Sequence, residues 1–238
     1  MQKFALFLVS FILINGIWAQ KAIINDPNAV VRNVKGFHAI KVSNAIDLFL
    51  SQGDEEAVAV SSNDTKYRDR IRTEVENGVL KIWLDREGWS WDHGNKKLKA
   101  YVSCKTLDKL EASGASNILV NGVISGDRME LHLSGASDFK GSVKFNGFSI
   151  DQSGASDITI NGSVGDLQID ASGASDTKGF DLITDNCNAH VSGASDIKIT
   201  VNKELNVHAS GASSISYKGS AVIRDLKSSG ASGISKKG

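Results

Sequence analysis

The sequence predicts an all-β solenoid, a parallel β-helix with about 19 residues and three short strands per coil. A tetrapeptide, Ser-Gly-Ala-Ser, occurs seven times, with copies that begin at Ser113, Ser134, Ser153, Ser172, Ser192, Ser210 and Ser229. The copies are 18 to 21 residues apart, a period typical of one supersecondary unit stacked on copies of itself. Apolar residues alternate around the copies, and the chain has 23 glycines but a single proline. This composition is typical of many short strands joined by tight turns.

The residues before each copy predict the first strand of a coil. Counting back from the first serine of the motif, the first, third and fifth positions are mostly apolar. The third position is occupied by Leu110, Leu131, Ile150, Ile169, Ala189, Val207 and Leu226. Alternation with a period of two residues indicates a strand with one buried face.

The residues after each copy predict the other two strands. Inward positions of the second strand are Ile118, Phe139, Ile158, Ile197, Ile215 and Ile234, and Asn-Gly turns follow in several coils. A shorter third strand is marked by Val123, Val143, Val164 and Val222. Within the motif we expect the glycine to adopt positive φ at a sharp corner. We expect its alanine methyl to point into the core and its serine hydroxyls to bond along the stack or to the turn backbone.

The chain divides into a targeting segment and one domain. Residues 1–19 combine a short positive start, an apolar run over residues 4–14 and a small residue, Ala19, which is typical of a secretory signal peptide. The apolar run is too short for a retained membrane span, so we expect no transmembrane segment in the mature chain. Residues 20–238 form a single β-helix domain, with irregular N-terminal coils over 30–110 and regular coils over 111–238. A degenerate copy of the motif begins at Ser43, and residues 86–97 form a loop.

Charge and cysteine content restrict the partners and the covalent structure. Lysine plus arginine number 27, as do aspartate plus glutamate, so no net charge attracts nucleic acid, and we expect no nucleic-acid partner. Cys104 and Cys187 lie about four coils apart, or ~19 Å at a strand spacing of ~4.8 Å. A disulfide requires Cα atoms within ~7 Å, so we expect two free, buried thiols.

Several segments together resemble a bacterial family. They are residues 34–42 (VKGFHAIKV), 45–48 (AIDL) and 76–82 (ENGVLKI), followed by the serial Ser-Gly-Ala-Ser copies. The chain resembles the family described as "putative auto-transporter adhesin, head GIN domain" from about residue 30 to its end. The resemblance implies a right-handed parallel β-helix that Gram-negative bacteria export, and it supplies no catalytic or binding residues.

Trp89, Trp91 and His93 are the most distinctive residues outside the repeat and are candidate ligand-binding residues. Exposed indoles beside polar groups stack on sugar rings or anchor a protein partner. The alternative is that both rings cover a gap where the solenoid is irregular, since tryptophan is mostly buried.

A second candidate site lies two positions before each motif. This column reads Glu111, His132, Asp151, Asp170, His190, His208 and Lys227. Because adjacent entries of the column are neighbours in a stacked solenoid, His132, Asp151, Asp170, His190 and His208 are candidate ligands for a metal such as zinc. The alternative is a solvated face whose charges pair across strands.

A third column follows the motif and reads Asn117, Asp138, Asp157, Asp176, Asp196 and Ser214. Stacked carboxylates ~5 Å apart repel one another, and weak calcium binding would relieve the repulsion. The alternative is that each aspartate bonds turn backbone while Lys140, Lys178 and Lys198 reduce the repulsion.

These observations favour an exported, non-enzymatic β-helix that acts as a binding, adhesion or cell-envelope scaffold module. A glycan, an envelope protein or a host surface protein would be its partner, and no cofactor is required. Its location would be the periplasm, the outer-membrane surface or the extracellular space, and its oligomeric state is left open. One alternative is a polysaccharide-processing enzyme, because β-helices often host lyases and hydrolases. The other is a metal-binding envelope protein.

Overall fold

The computed structural model describes residues 26–86 and 97–238. The elements of its N-terminal part are β1 (Val30–Arg32), β2 (Ala39–Val42), β3 (Ile46–Gln52), β4 (Ala57–Ser62), α1 (Thr65–Arg68), β5 (Ile71–Glu76), β6 (Val79–Leu84), β7 (Leu98–Cys104) and β8 (Lys109–Ala112). The later elements are β9 (Asn117–Leu133), β10 (Asp138–Gln152), β11 (Asp157–Ala171), β12 (Asp176–Val191), β13 (Asp196–Ala209), β14 (Ser214–Lys218), β15 (Val222–Ser228) and β16 (Gly233–Lys236). They form a β-solenoid of about seven turns, roughly 19 residues apart, which confirms the predicted fold.

Strands β9 to β13 are the regular coils, and each runs from one copy of the motif to the next. Neighbouring strands pair in parallel, so that Phe139 of β10 stands beside Ile118 of β9 and Ile158 of β11. The three sides of a coil are joined in one strand of 14 to 17 residues, because ladder hydrogen bonding resumes after each bend, including the Asn-Gly turns of β9 and β11. Gly122 and Gly162 in those turns have φ values of 84° and 119°. The aliphatic columns face inward and form one continuous core.

The third side of two coils differs from the sequence expectation. Val123 and Val222 are more than half exposed, and Ile124 and Ile223 occupy the inward register positions instead. The ladders of both coils shift register near these residues. A shift by one residue exchanges the inward and outward faces of a strand.

The first two levels of the stack lie in the opposite order to their order in the sequence. Strands β2 and β3 lie between β8 and β9 on one side and β6 and β7 on the other, all in parallel. The later strands β6 and β7 therefore form the level before β2 and β3. Antiparallel pairing of β5 with β6, of β4 with β7 and of β1 with β4 covers this end of the stack.

The glycine of each Ser-Gly-Ala-Ser corner adopts the expected conformation, with φ between 71° and 81° in all seven copies. From the second copy onward, a Cβ on this glycine would also collide with the glycine carbonyl oxygen of the preceding copy. That oxygen accepts a 2.8 Å hydrogen bond from the alanine N–H of the next copy, as in Ala155 to Gly135. Close approach of the two backbones therefore requires glycine here.

In the first six corners the second serine, and not the alanine, points into the core. Every motif alanine is exposed, so the expectation of an inward methyl group was wrong. The second serine is fully buried in the first six copies, as Ser116, Ser137, Ser156, Ser175, Ser195 and Ser213. In most of them its hydroxyl donates to the carbonyl oxygen of the first serine of the same copy, as Ser175 does to Ser172 at 2.9 Å. This local bond satisfies the buried hydroxyl, which explains why a polar residue is tolerated there.

Candidate functional site

One row of outward-facing side chains runs along the stack directly before the corners. Its members are paired in register in the order Glu111, His132, Asp151, Asp170, His190, His208 and Lys227. We call this set the histidine–aspartate row. Parallel pairing separates neighbouring members by ~4.8 Å. The structure thus brings all five predicted metal-ligand candidates into one row.

In the C-terminal half of the row each imidazole contacts a carboxylate. Nδ1 of His190 lies 3.1 Å from Oδ1 of Asp170, and Nε2 of His208 lies 2.9 Å from Oδ2 of Asp225. The centroids of the two imidazole rings are 4.9 Å apart. Hydrogen bonds from His208 and then from Lys227 hold the pKa of the Asp225 carboxyl at about 2, well below its ordinary value.

Each imidazole of the row contacts one or two carboxylates. In the N-terminal half, His132 Nδ1 lies 3.4 Å from Asp151, and its Nε2 lies 3.3 Å from Glu130. Within residues 26–86 and 97–238, no three His, Cys, Asp or Glu side chains gather as a cluster that could hold a metal ion. Zinc binding by this row stays a prediction.

A shallow groove of about 410 Å³ lies beside the C-terminal half of the row. Its walls are the row residues from Asp151 to Lys227 and the first serines of the last four motifs, from Ser172 to Ser229. The lining is open to solvent, since the His190 side chain is 54% exposed. This groove is the candidate functional site.

A row of carboxylates lies on the other side of the corners. In stack order its members are Asp47, Asn117, Asp138, Asp157, Asp176, Asp196 and Ser214. At one end Asn117 donates a 2.8 Å hydrogen bond to Asp47, and at the other the Ser214 hydroxyl donates to Asp196. The three aspartates in the middle have no side-chain hydrogen bond or ion pair to any described residue. The expected bonds to turn backbone are thus not formed, and calcium binding stays a prediction.

Sequence reasoning missed a second groove, of about 500 Å³, on the side of the coils after the Asn-Gly turns. Phe145, Val164 and Ile183 contribute apolar lining, while Lys144 and Asp185 contribute charge. Ile183 is 52% exposed, because the ladder between β12 and β13 shifts register just before it. An isoleucine out of phase with the alternation of its strand was the signal for this groove.

Trp89, Trp91 and His93 lie outside the described residues. The strands before and after them in the sequence, β6 and β7, form the first level of the stack. Lys81 is a residue of β6 and marks this level. Lys81 is four strand spacings from Asp151, where the groove begins, or ~19 Å.

In the part of the chain that the structure describes, no helix is long and apolar enough to cross a membrane.

Solved structures of similar fold come from Bacteroides and Parabacteroides species. A putative adhesin from Bacteroides fragilis NCTC 9343 matches with a TM-score of 0.79 and 19% identity, over 89% of this chain and 98% of its own. A putative lipid binding protein from Parabacteroides distasonis ATCC 8503 matches with a TM-score of 0.67 and 20% identity, over 90% and 98% of the two chains. A putative adhesin from Parabacteroides merdae ATCC 43184 matches with a TM-score of 0.64 and 17% identity, over 88% and 95%. At these identities the likeness shows the fold alone.

No curated protein matches the sequence significantly. The model of one protein family matches residues 36–221, which is most of the chain and includes six of the seven motif copies. The chain therefore belongs to the family described as "Putative auto-transporter adhesin, head GIN domain".

Proposed function

We propose that this protein is an exported, non-enzymatic adhesion module that binds a glycan or a surface protein at the cell envelope. The observation that carries the proposal is the histidine–aspartate row with its groove, an exposed polar surface repeated from coil to coil. Family membership supports an adhesion-type role. Many weak contacts along a repeated surface sum to useful avidity.

The shape of the groove favours binding over catalysis. A catalytic pocket normally encloses its substrate and excludes water. In this groove the imidazole of His208 is 38% exposed, and the Asp170 side chain is 42% exposed. A polysaccharide-processing enzyme would release reducing ends from its substrate, and we expect the purified chain to release none.

Export is supported by the composition of residues 1–19, which have the features of a signal peptide. Expression of the full chain in a Gram-negative host should yield a mature protein that begins near Gln20. N-terminal sequencing of the periplasmic and culture fractions would identify the cleavage site. Recovery of only uncleaved, cytoplasmic chain would contradict export.

Adhesion can be tested with beads that carry the mature chain. The beads are exposed to a glycan array, isolated bacterial envelopes, mucin and extracellular-matrix proteins. We expect retention on at least one surface and weaker retention for a variant with His132, His190 and His208 changed to Ala. Retention on no surface above that of uncoated beads would contradict the proposed function.

A further inference from the structure

We propose that the groove beside Asp151 to Lys227 binds a neutral polysaccharide strand that lies along the axis of the stack. The inference rests on the proposed adhesion function and names the ligand class of that site.

The groove presents hydrogen-bonding groups that have no protein partner. Asp170 accepts from Nδ1–H of His190, which leaves Nε2 of that ring with a lone pair. Nε2 of His208 lies 2.9 Å from Oδ2 of Asp225 and 3.2 Å from the ammonium group of Lys227, which leaves Nδ1 as the ring nitrogen that faces a ligand. Neither of these nitrogens has a partner among the described residues. Nε2 of His190 is therefore an acceptor, and both nitrogens are open to a ligand that is rich in hydroxyl groups, which donate and accept.

Serine hydroxyls complete the opposite wall. The first serines of the last three motifs, Ser192, Ser210 and Ser229, line the groove, and their hydroxyls bond no described residue. A hydroxyl both donates and accepts, as do the hydroxyls of a sugar. Each coil thus offers one side chain of the row and one serine to a ligand.

Charge selects against anionic ligands. The groove and its rim hold three carboxylates, from Asp151, Asp170 and Asp225, and one ammonium group, from Lys227. With neutral imidazoles this is a net charge of −2. Phosphate, sulfate and uronate polymers are therefore repelled, whereas a neutral glycan is not.

The repetition of the groove selects an extended polymer. The row passes through five positions from Asp151 to Lys227, four strand spacings or ~19 Å. An extended hexose chain advances by about one strand spacing (~4.8 Å) per unit, so successive sugars meet equivalent positions on successive coils, each with a polar side chain of the row. A peptide that binds by strand addition needs an unpaired sheet edge, which the floor of this groove does not offer. The floor strands β11 to β13 are hydrogen-bonded on both sides.

Calorimetric and NMR titration of the mature chain tests the inference. The neutral probes are cello-oligosaccharides and chito-oligosaccharides of two, four and six units, and the anionic probe is hexagalacturonate. We expect at least one neutral hexamer to bind tenfold or more tightly than the disaccharide of the same sugar, because two units span only part of the groove. Hexagalacturonate should bind at least tenfold more weakly than that hexamer.

The variant His190→Ala/His208→Ala should bind the neutral hexamer at least tenfold more weakly. Its control is His38→Ala, because the His38 side chain is as exposed as that of His190 and pairs with Asp108 but belongs to the opposite end of the stack. Circular-dichroism melting verifies that both variants fold. Unchanged hexamer affinity in the double variant would overturn the inference. Failure of all neutral hexamers to bind would also overturn it, while retention of beads on another surface would leave the adhesion function standing.

Discussion

The hydroxyl of Thr177 donates a 2.5 Å hydrogen bond to Oε1 of Gln152 inside the core. Both side chains are buried, and Gln152 is the one polar member of its column between Ala112 and Ala209. The amide nitrogen of Gln152 donates to the carbonyl oxygen of Ser156 at 3.0 Å. The buried amide is therefore satisfied on both sides, although it interrupts the hydrophobic ladder.

Thr177→Val should lower the free energy of unfolding by about 1–3 kcal/mol, because it leaves a buried carbonyl oxygen of Gln152 without a donor. The double variant Gln152→Leu/Thr177→Val should lose less than the sum of the two single variants, since both polar partners are gone. Urea unfolding followed by circular dichroism and fluorescence measures all three. Thr159→Val, at an exposed position of the preceding coil, is the control and should change stability by under ~0.5 kcal/mol. Strict additivity of the two single losses would contradict the coupling.

Replacement of glycine by alanine should destabilise the protein most where a positive φ and a close backbone neighbour occur at the same residue. Gly173 has φ of 81°, and a Cβ there would meet the backbone of Gly154. Gly36 has φ of 80° but open space around it, and Gly233 has neither restriction. We expect Gly233→Ala to be neutral, Gly36→Ala to cost about 1–2 kcal/mol and Gly173→Ala to cost clearly more. Equal losses for Gly36→Ala and Gly173→Ala in urea unfolding would show that the close approach is relieved at no cost.

The corner makes opposite predictions for its two small residues. Ser175 is buried and bonds the Ser172 carbonyl, so Ser175→Ala should lower the free energy of unfolding by about 0.5–1.5 kcal/mol. Ala174 is exposed, and Ala174→Ser should change it by under ~0.5 kcal/mol. Thermal and urea unfolding of the two variants compare them directly. A larger loss for Ala174→Ser than for Ser175→Ala would mean that the alanine, not the serine, faces the core.

Alkaline pH should destabilise the chain through Cys187. Cys104 and Cys187 are both free and buried, and burial raises the pKa of the Cys187 thiol from about 9 to about 12. The neutral thiol therefore contributes stability that is complete below pH ~9 and is lost as pH rises toward ~12. Wild type should lose up to ~1.4 kcal/mol per pH unit in this window relative to Cys187→Val.

Urea unfolding at pH ~7, ~9 and ~10.5 measures this difference. Valine suits the site, because its neighbours in the ladder are Leu167 and Leu205. The two proteins should diverge only above pH ~9, which separates ionisation from packing. Parallel loss of stability in both proteins would contradict the assignment to Cys187.

The aspartate row should be sensitive to salt and calcium. Asp157 stands between Asp138 and Asp176, and the repulsion is somewhat under ~1 kcal/mol per neighbour in water. Asp157→Asn should therefore raise the melting temperature in low salt, and the gain should shrink as salt screens the charges. Millimolar calcium should raise the melting temperature of wild type more than that of Asp157→Asn. Equal shifts with calcium in wild type, in Asp157→Asn and in Asp54→Asn, an exposed aspartate outside the row, would rule out calcium binding by the row.

Sequence alone determined the coils and the composition of the rows. In a parallel stack the neighbour of a residue is the residue one period away, so the repeat itself predicts that His190 stands beside His208. The same repeat predicts that Cys104 and Cys187 lie far apart and that the aspartates form a row. These predictions are strong because every coil repeats the same pattern of residues.

Tertiary structure decided the features that lack this symmetry. The positive φ of the motif glycine breaks the alternation of the strand, so the faces of Ala174 and Ser175 follow from corner geometry and not from the pattern. The reversed first levels pair Lys41 with Lys81 and Glu111, across separations much longer than one period. The register shift before Asn206 brings Asp225 within reach of His208. Each of these depends on backbone geometry at one place in the fold, where no repeat of the sequence can report it.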